Sequence, residues 1–409
     1  MAETPAAERE RPRTGATPRA RYDLAELAGG LGDAGLFLPI AVALIALCGL
    51  NATAVFCGVG LAYVATANYF RVPVPVQPLK AFAAAAIALH LDATTLAAGA
   101  LLMSAAMALL ATSGLGERLA RRFPVVLVRG IQASVALLLA KAAVELAEKG
   151  NWQGLPSIDP AVSVAAAAGV CALLFLTTGR RRLPVSLVVL GVAAVVGLAV
   201  DGPPSHLGFG PQPLVISIPD GPAFATALTA LVLAQIPLTF GNSIVATADA
   251  EREYFGALAR RVRPGALAAS IAGANLFAGL TSGLPVCHGA GGVTAHYRMG
   301  ARTAGATLMV GALYVALALG LGGSLPVVVS LLPPGVLAGM LGFVAIQHGM
   351  LASRLERLDD RVLAAGIGLV TLVSGNLAIG AGAGIVALAV RGAARRAPLG
   401  VTSPARRWR

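Results

Sequence analysis

Hydrophobic residues run along this chain in long blocks, and the polar positions gather between them. Stretches such as Leu36–Leu50 and Ala161–Leu176 carry no charge at all. A helix needs roughly 20 apolar residues to cross a bilayer, with a range of about 17–25. Several blocks fall near the short end, as expected in a bundle where many helices are shielded from lipid. The pattern predicts fourteen membrane segments, two of them half-length, centred from about residue 40 to about residue 383. The predicted class is an all-α polytopic membrane protein.

Composition agrees with the pattern. Of 409 residues 57% are hydrophobic and 12% charged, and mean hydropathy is +0.78; a soluble chain carries about 25% charged residues. The formal net charge of +12 could suggest nucleic acid, but its distribution points to topology. With the N-terminus inside, every arginine falls on the cytoplasmic side or, like Arg129, at a cytoplasmic span end. Only Lys149 falls in an external loop, while Lys80 and Lys141 sit within spans. This asymmetry is the positive-inside pattern. It predicts a multi-pass protein of the cytoplasmic (inner) membrane with both termini cytoplasmic, membrane lipids as neighbours and no nucleic-acid partner.

The polar stretch 1–22 has no apolar core of a signal peptide and reads as a disordered cytoplasmic tail. Residues 392–409 form a basic cytoplasmic tail, and 201–220, with five prolines and no Lys or Arg, an external linker. Between them lie two repeats, 23–200 and 221–391. Cys48, Cys57, Cys171 and Cys287 have no metal-like spacing and read as small buried hydrophobes, so no metal or cofactor is expected.

The two repeats share landmarks at one offset. Gly32 in Leu31-Gly32-Asp33 and Gly241 in Phe240-Gly241-Asn242 are 209 apart. Pro75 and Pro285 are 210 apart, as are Pro124 and Pro334. Seven segments per repeat is an odd number, so the second copy must be inserted upside down, as in many secondary carriers. Each repeat also contains a helix-breaking stretch. Val72-Pro73-Val74-Pro75-Val76-Gln77-Pro78 cannot be helical, because alternate prolines remove donors and push preceding residues to extended geometry. Leu79–Leu89 follows, helix-forming but too short to cross. Gly283-Leu284-Pro285-Val286, and then a helix beginning around Gly289–Gly292, repeats the design. Two half-helices would thus aim their N-termini, with free N–H groups and positive dipole ends, at the midplane, which favours a small anion.

Pro75-Val-Gln-Pro-Leu-Lys80 and Leu284-Pro-Val-Cys-His-Gly-Ala-Gly-Gly292 resemble the signature motifs of the molybdate transporter family, a branch of the sulfate permease superfamily. Glu26–Asp33, Arg129–Gln132, Gln235–Ser243 and His296–Arg302 are similar to further family segments. The resemblance implies a 7+7 inverted repeat, with a core domain of segments 1–4 and 8–11, a gate domain of 5–7 and 12–14, and a possible homodimer. It also implies a branch without the regulatory STAS domain, and none is expected here.

The candidate substrate ligands are Gln77, Lys80, Thr239, Asn242, His288, Gly289, Gly291 and Gly292. A lysine in the first turn of a half-helix opposes the dipole and is costly at membrane depth, which makes sense if an anion docks there; the alternative is snorkelling to the interface. Gln77 either donates its amide to an oxyanion or caps the loop. The glycines, having no Cβ, let backbone amides close on a ligand. Asp33 is the first candidate for proton coupling, Glu26 the second and His288 a third; Asp33 could instead pair with Lys80 or backbone donors. Cys287 is read as packing. His296, Tyr297 and Arg298 are read as marking the cytoplasmic end of the second half-helix. No nucleotide-binding, hydrolase or metalloprotease constellation occurs, so an enzyme is excluded. The expected function is secondary uptake of molybdate with protons, the alternatives being sulfate or tungstate transport or an anion channel.

Overall fold

The computed structural model describes residues 19–114, 124–149, 159–177, 185–201, 208–214, 216, 218–353 and 355–396. The tail before residue 19, the tail after 396, the clusters Arg118–Arg122 and Arg180–Arg182 and part of the 201–220 linker lie outside the described residues.

The first half comprises α1 (Leu24–Cys48), α2 (Ala52–Phe70), β1 (Gln77–Pro78), α3 (Lys80–Ala88), α4 (Ala93–Ser113), α5 (Val125–Lys149), α6 (Pro160–Thr177) and α7 (Val185–Asp201). The second comprises α8 (Gly221–Arg261), α9 (Pro264–Thr281), β2 (Val286–Cys287), α10 (Ala290–Met299) and α11 (Gly305–Leu321). A short α12 (Leu325–Ser330) leads into α13 (Pro334–Ala352), α14 (Leu358–Ser374) and α15 (Leu377–Arg396). Local chemistry sets the ends. Asp23, Asn51, Asp92 and Asp220 cap helices by accepting backbone N–H groups with their side chains. Gly49 and Gly114 close α1 and α4 in the left-handed conformation.

Among the described residues eight helices are long and apolar enough to cross a membrane, and three shorter apolar ones accompany them. Leu176, Val195 and Val373 stand exposed on helix faces, the surface expected of a protein whose solvent is lipid.

The inverted repeat is visible in the packing. α4 packs on α9, and its counterpart pair α11 packs on α2. β1 and β2, one from each half, pair antiparallel with Gln77 opposite Cys287 and Pro78 opposite Val286. Where α2 crosses α11, Gly60 and Gly311 face each other, and a Cβ on either would meet the other's carbonyl oxygen at 2.7–2.8 Å. Such small-residue crossings let membrane helices approach closely. Two groups result: α1–α4 with α8–α11, and α5–α7 with α13–α15. They meet, among other places, at α3 on α5 and α1 on α7.

Helix α8 departs from the sequence expectation of one ordinary span. It runs 41 residues, with π-helical stretches at Leu228–Val232 and Thr239–Ala246. Pro237 lies between them. Lacking an N–H and crowding the carbonyl four residues back, it gives α8 a reason to leave α-helical register. The counterpart in α1 is a 3-10 turn at Leu31–Asp33. The equivalent residues Asp33 and Asn242 therefore both sit where a helix is locally irregular.

Candidate functional site

The two extended stretches meet at membrane depth, where unpaired backbone is expensive. Part of the solution is the β1–β2 ladder, extended by Leu79 N–H donating to Pro285 O at 3.0 Å. Asn275 on α9 supplies more. Its amide donates to Val286 O (2.7 Å) and Ile271 O (2.8 Å), while its oxygen accepts Val286 N–H (3.0 Å). Asn275→Ala would orphan both polar groups of Val286, each costing about 1–3 kcal/mol. It is expected to lower the melting temperature in detergent by several degrees; an unchanged midpoint would show that these groups find other partners.

The half-helices α3 and α10, nine and ten residues long, begin at this ladder. Of the orphan N–H groups of α3, that of Phe82 donates to Gln235 Oε1 at 2.9 Å, and the Gln235 amide donates to Thr239 Oγ1 at 2.8 Å. Thr239 is thereby engaged with a capping residue. In α10 the N–H groups of Gly292 and Val293 fold back onto Gly289 O. The first two N–H groups of each helix, at Lys80 and Ala81 and at Ala290 and Gly291, have no partner within their own helix.

Lys80, 8% exposed, donates from Nζ to Gln77 Oε1 at 2.6 Å. The Gln77 amide donates to Asp33 Oδ2 at 3.0 Å. The other Asp33 oxygen accepts Tyr63 Oη–H at 3.3 Å and hydrogen-bonds His296 Nε2 at 3.2 Å. Lys80 forms no ion pair among the described residues. Its ammonium lies 3.2 Å from where a Cβ on Gly289 would stand, over the N-terminus of the opposite half-helix. Two positive features, a charge and a dipole end, thus converge with only a neutral amide oxygen between them and the carboxylate. Such a convergence of charge and dipole end favours a negative charge between them.

The glycines divide. A Cβ on Gly292 would come 2.5 Å from Gln77 Nε2, and one on Gly289 would also strike Gln77. These two make room for the Gln77 side chain rather than for a ligand. Gly291 is exposed, with no side-chain or distant atom within 4 Å of its Cβ position. Only there does the glycine cluster open the backbone to an incoming molecule. Asn242 is half-buried, and its amide makes no hydrogen bond among the described residues.

Two candidates lie apart from this cluster. His288 Nδ1 donates to Pro75 O (2.7 Å), and Nε2 hydrogen-bonds Ser270 Oγ (2.6 Å), so both ring nitrogens tie the extended stretches to α9. Glu26 accepts Arg302 N–H (3.0 Å) and Thr303 N–H (3.1 Å) and pairs with Arg21 at 3.1 Å. It locks the start of α1 to the loop after α10. A cleft of about 480 Å³ between α2 and α9 reaches His288, but its walls, including Leu61, Ala62, Phe70 and Phe277, carry no charge. It does not suit an oxyanion.

The sequence reading of His296 needs correction. It is not an interfacial residue but 0% exposed and bonded to Asp33. Its position four residues after Gly292 puts both on one face of α10, the signal that could have found it. Tyr63, from α2, offers no such signal. Lys141 and Glu145 pair at 3.7 Å, as their spacing suggests, and Arg129 donates to Gln132 at 2.9 Å. No group of residues suited to a metal ion occurs among the described residues.

A family model described as a molybdate transporter of the MFS superfamily matches residues 25–139 and 227–347. Molybdate transporter 2 of Arabidopsis thaliana is 28% identical over 403 residues, covering 88% of this chain and 86% of that protein. Molybdate transporter 1 of Chlamydomonas reinhardtii is 27% identical over 442 residues, covering 80% and 83%. Among solved structures, the transmembrane domain of the cyanobacterial bicarbonate transporter BicA superposes with a TM-score of 0.63 at 15% identity, covering 88% of this chain and 97% of that one. The murine Solute Carrier 26 member A9 anion transporter, in its inward-facing state, gives 0.62 at 15%, covering 90% and 69%. These likenesses establish the fold.

Proposed function

The chain belongs to the molybdate transporter family, and from that premise we propose that it imports molybdate across the cytoplasmic membrane in company with protons. The observation that carries this reading is the buried Lys80 ammonium at the N-terminus of α10, without a carboxylate of its own. The tetrahedral dianion docks against Lys80, Gln77 and the free N–H groups of Ala290 and Gly291, with Asn242 offering its amide from α8.

Proton coupling follows from the Lys80–Gln77–Asp33 chain. An ionised Asp33 holds the Gln77 amide and opposes the Lys80 field. A proton on Asp33 cancels that charge and leaves Lys80 to the anion. Binding of proton and dianion is therefore mutually favourable, by the same factor in each direction. Coupling is physically needed, because each negative charge entering against an inside-negative potential costs about 2.3 kcal/mol per 100 mV. Import proceeds by movement of the α1–α4 and α8–α11 group against the other, with both termini cytoplasmic. His288 and Glu26 hold the scaffold.

Titrating the purified protein with molybdate at two pH values tests the reading, with tungstate and sulfate as competitors. Molybdate should bind more tightly at the lower pH and resist displacement by equimolar sulfate. Tighter sulfate binding would reassign the cargo, and pH-independent affinity would remove the proton from the cycle.

A further inference from the structure

One buried ionisable group takes no part in the site described above. Glu251, on the α-helical portion Thr247–Phe255 near the end of α8, is 0% exposed. Neither of its carboxyl oxygens has a hydrogen-bond partner among the described residues. Each charged group on the elements packed against it is otherwise engaged or turned to the surface. On α8, Asp249 and Arg252 are exposed and pair with each other at 3.5 Å, and Glu253 is exposed. In the 3-10 end of α8, Arg260 is exposed and Arg261 donates to Tyr69 O at 2.9 Å. On α10, His296 is bonded to Asp33, Tyr297 stacks on Tyr254 with centroids 4.5 Å apart, and Arg298 is exposed. Arg302, just beyond, lies over the Tyr297 ring at 3.8 Å.

A carboxylate charge in such a place would lack every donor that makes burial tolerable. The group is therefore a neutral acid holding its proton. An acid kept where leucine would pack is a functional feature of membrane proteins. The helix packed beside it is the half-helix that borders the anion site; Tyr254 Oη donates to Thr294 Oγ1 at 3.3 Å, one turn from Glu251. That same α10 carries His296 Nδ1, also without a partner among the described residues, whose other ring nitrogen bonds Asp33.

We propose that Glu251 is a second proton-carrying carboxyl, so that the dianion crosses with two protons, one on Asp33 and one on Glu251. Release belongs to the other conformation, in which Glu251 and Asp33 face water: there both O–H bonds break, the protons pass to water with the dianion, and no net charge crosses. This rests on the proton-coupled reading above.

The test uses the full chain in proteoliposomes, with labelled molybdate, an imposed pH gradient and a clamped potassium diffusion potential. For the wild type, steady-state accumulation should follow the pH gradient and ignore the voltage. In Glu251→Gln one proton fewer accompanies each dianion, so an inside-negative potential should lower accumulation about fiftyfold per 100 mV. A Glu251→Gln protein that stays indifferent to voltage overturns the proposal, as does a wild type that already moves net charge. A wild type that takes up no molybdate, or ignores the pH gradient, overturns the proton-coupled reading itself. Glutamine is a neutral isostere of a protonated acid, so Glu251→Gln should keep the wild-type melting temperature. A variant that is destabilised or fails to fold shows that the position needs a charge, and the proposal falls.

Discussion

Lys80→Ala is expected to abolish molybdate uptake while leaving the protein folded in the membrane. Among the described residues the ammonium is the one full positive charge placed at the junction of the two half-helices, and it is held there by Gln77 at 2.6 Å. Removing one partner of a buried charge pair costs about 2–5 kcal/mol, so molybdate affinity should fall by roughly thirtyfold to several thousandfold. Folding should survive, because Lys80 has no carboxylate partner that would be left stranded. Equilibrium binding on the purified variant, with its melting temperature as control, checks both halves. Wild-type affinity in Lys80→Ala would remove this residue from the site and the anion with it.

Asp33→Asn is expected to keep anion binding but weaken the grip of the pH gradient. An asparagine oxygen can still accept the Gln77 amide that now reaches Asp33 Oδ2 at 3.0 Å, so the scaffold around Lys80 persists. With one proton fewer per cycle, steady-state accumulation should drop about tenfold for each unit of imposed pH gradient. Accumulation in vesicles across graded pH steps measures this slope. An unchanged slope would place the coupled proton elsewhere, and total loss of binding would make Asp33 a scaffold residue instead.

The fold was legible to an unusual degree because its signals are local or periodic. Apolar blocks mark spans regardless of tertiary context, since the bilayer imposes one length scale. Proline at alternate positions forbids a helix wherever it occurs, so the stretches before Lys80 and before Gly289 could be placed without coordinates. Their common offset carried the inverted repeat, and the motif resemblance carried the family.

The site was legible only in part. Gln77, Lys80 and Asp33 are polar residues in apolar surroundings, and that anomaly can be read along the chain. Which atoms they engage cannot. Gly289 and Gly292 looked like openings for a ligand, yet their missing Cβ atoms are filled by Gln77 from the other half. His288 looked like a donor to substrate, yet its ring bridges Pro75 and Ser270. His296 looked interfacial because Tyr297 and Arg298 follow it, yet a helix turns each successive residue by about 100°. The inward position faces Asp33 while its neighbours face out.

By itself, then, the sequence determined membrane residence, the number and order of segments, the two broken helices and the positive character of the place where they end. All of these depend on composition and on backbone constraints acting over a few residues. Only the tertiary structure decided the hydrogen-bond partners: Asp33 with Gln77, Tyr63 and His296, Asn275 with the backbone of Val286, and Glu251 with none among the described residues. Those pairings join residues up to 263 positions apart. They are set by how two inverted halves interlock, a geometry that no local pattern encodes.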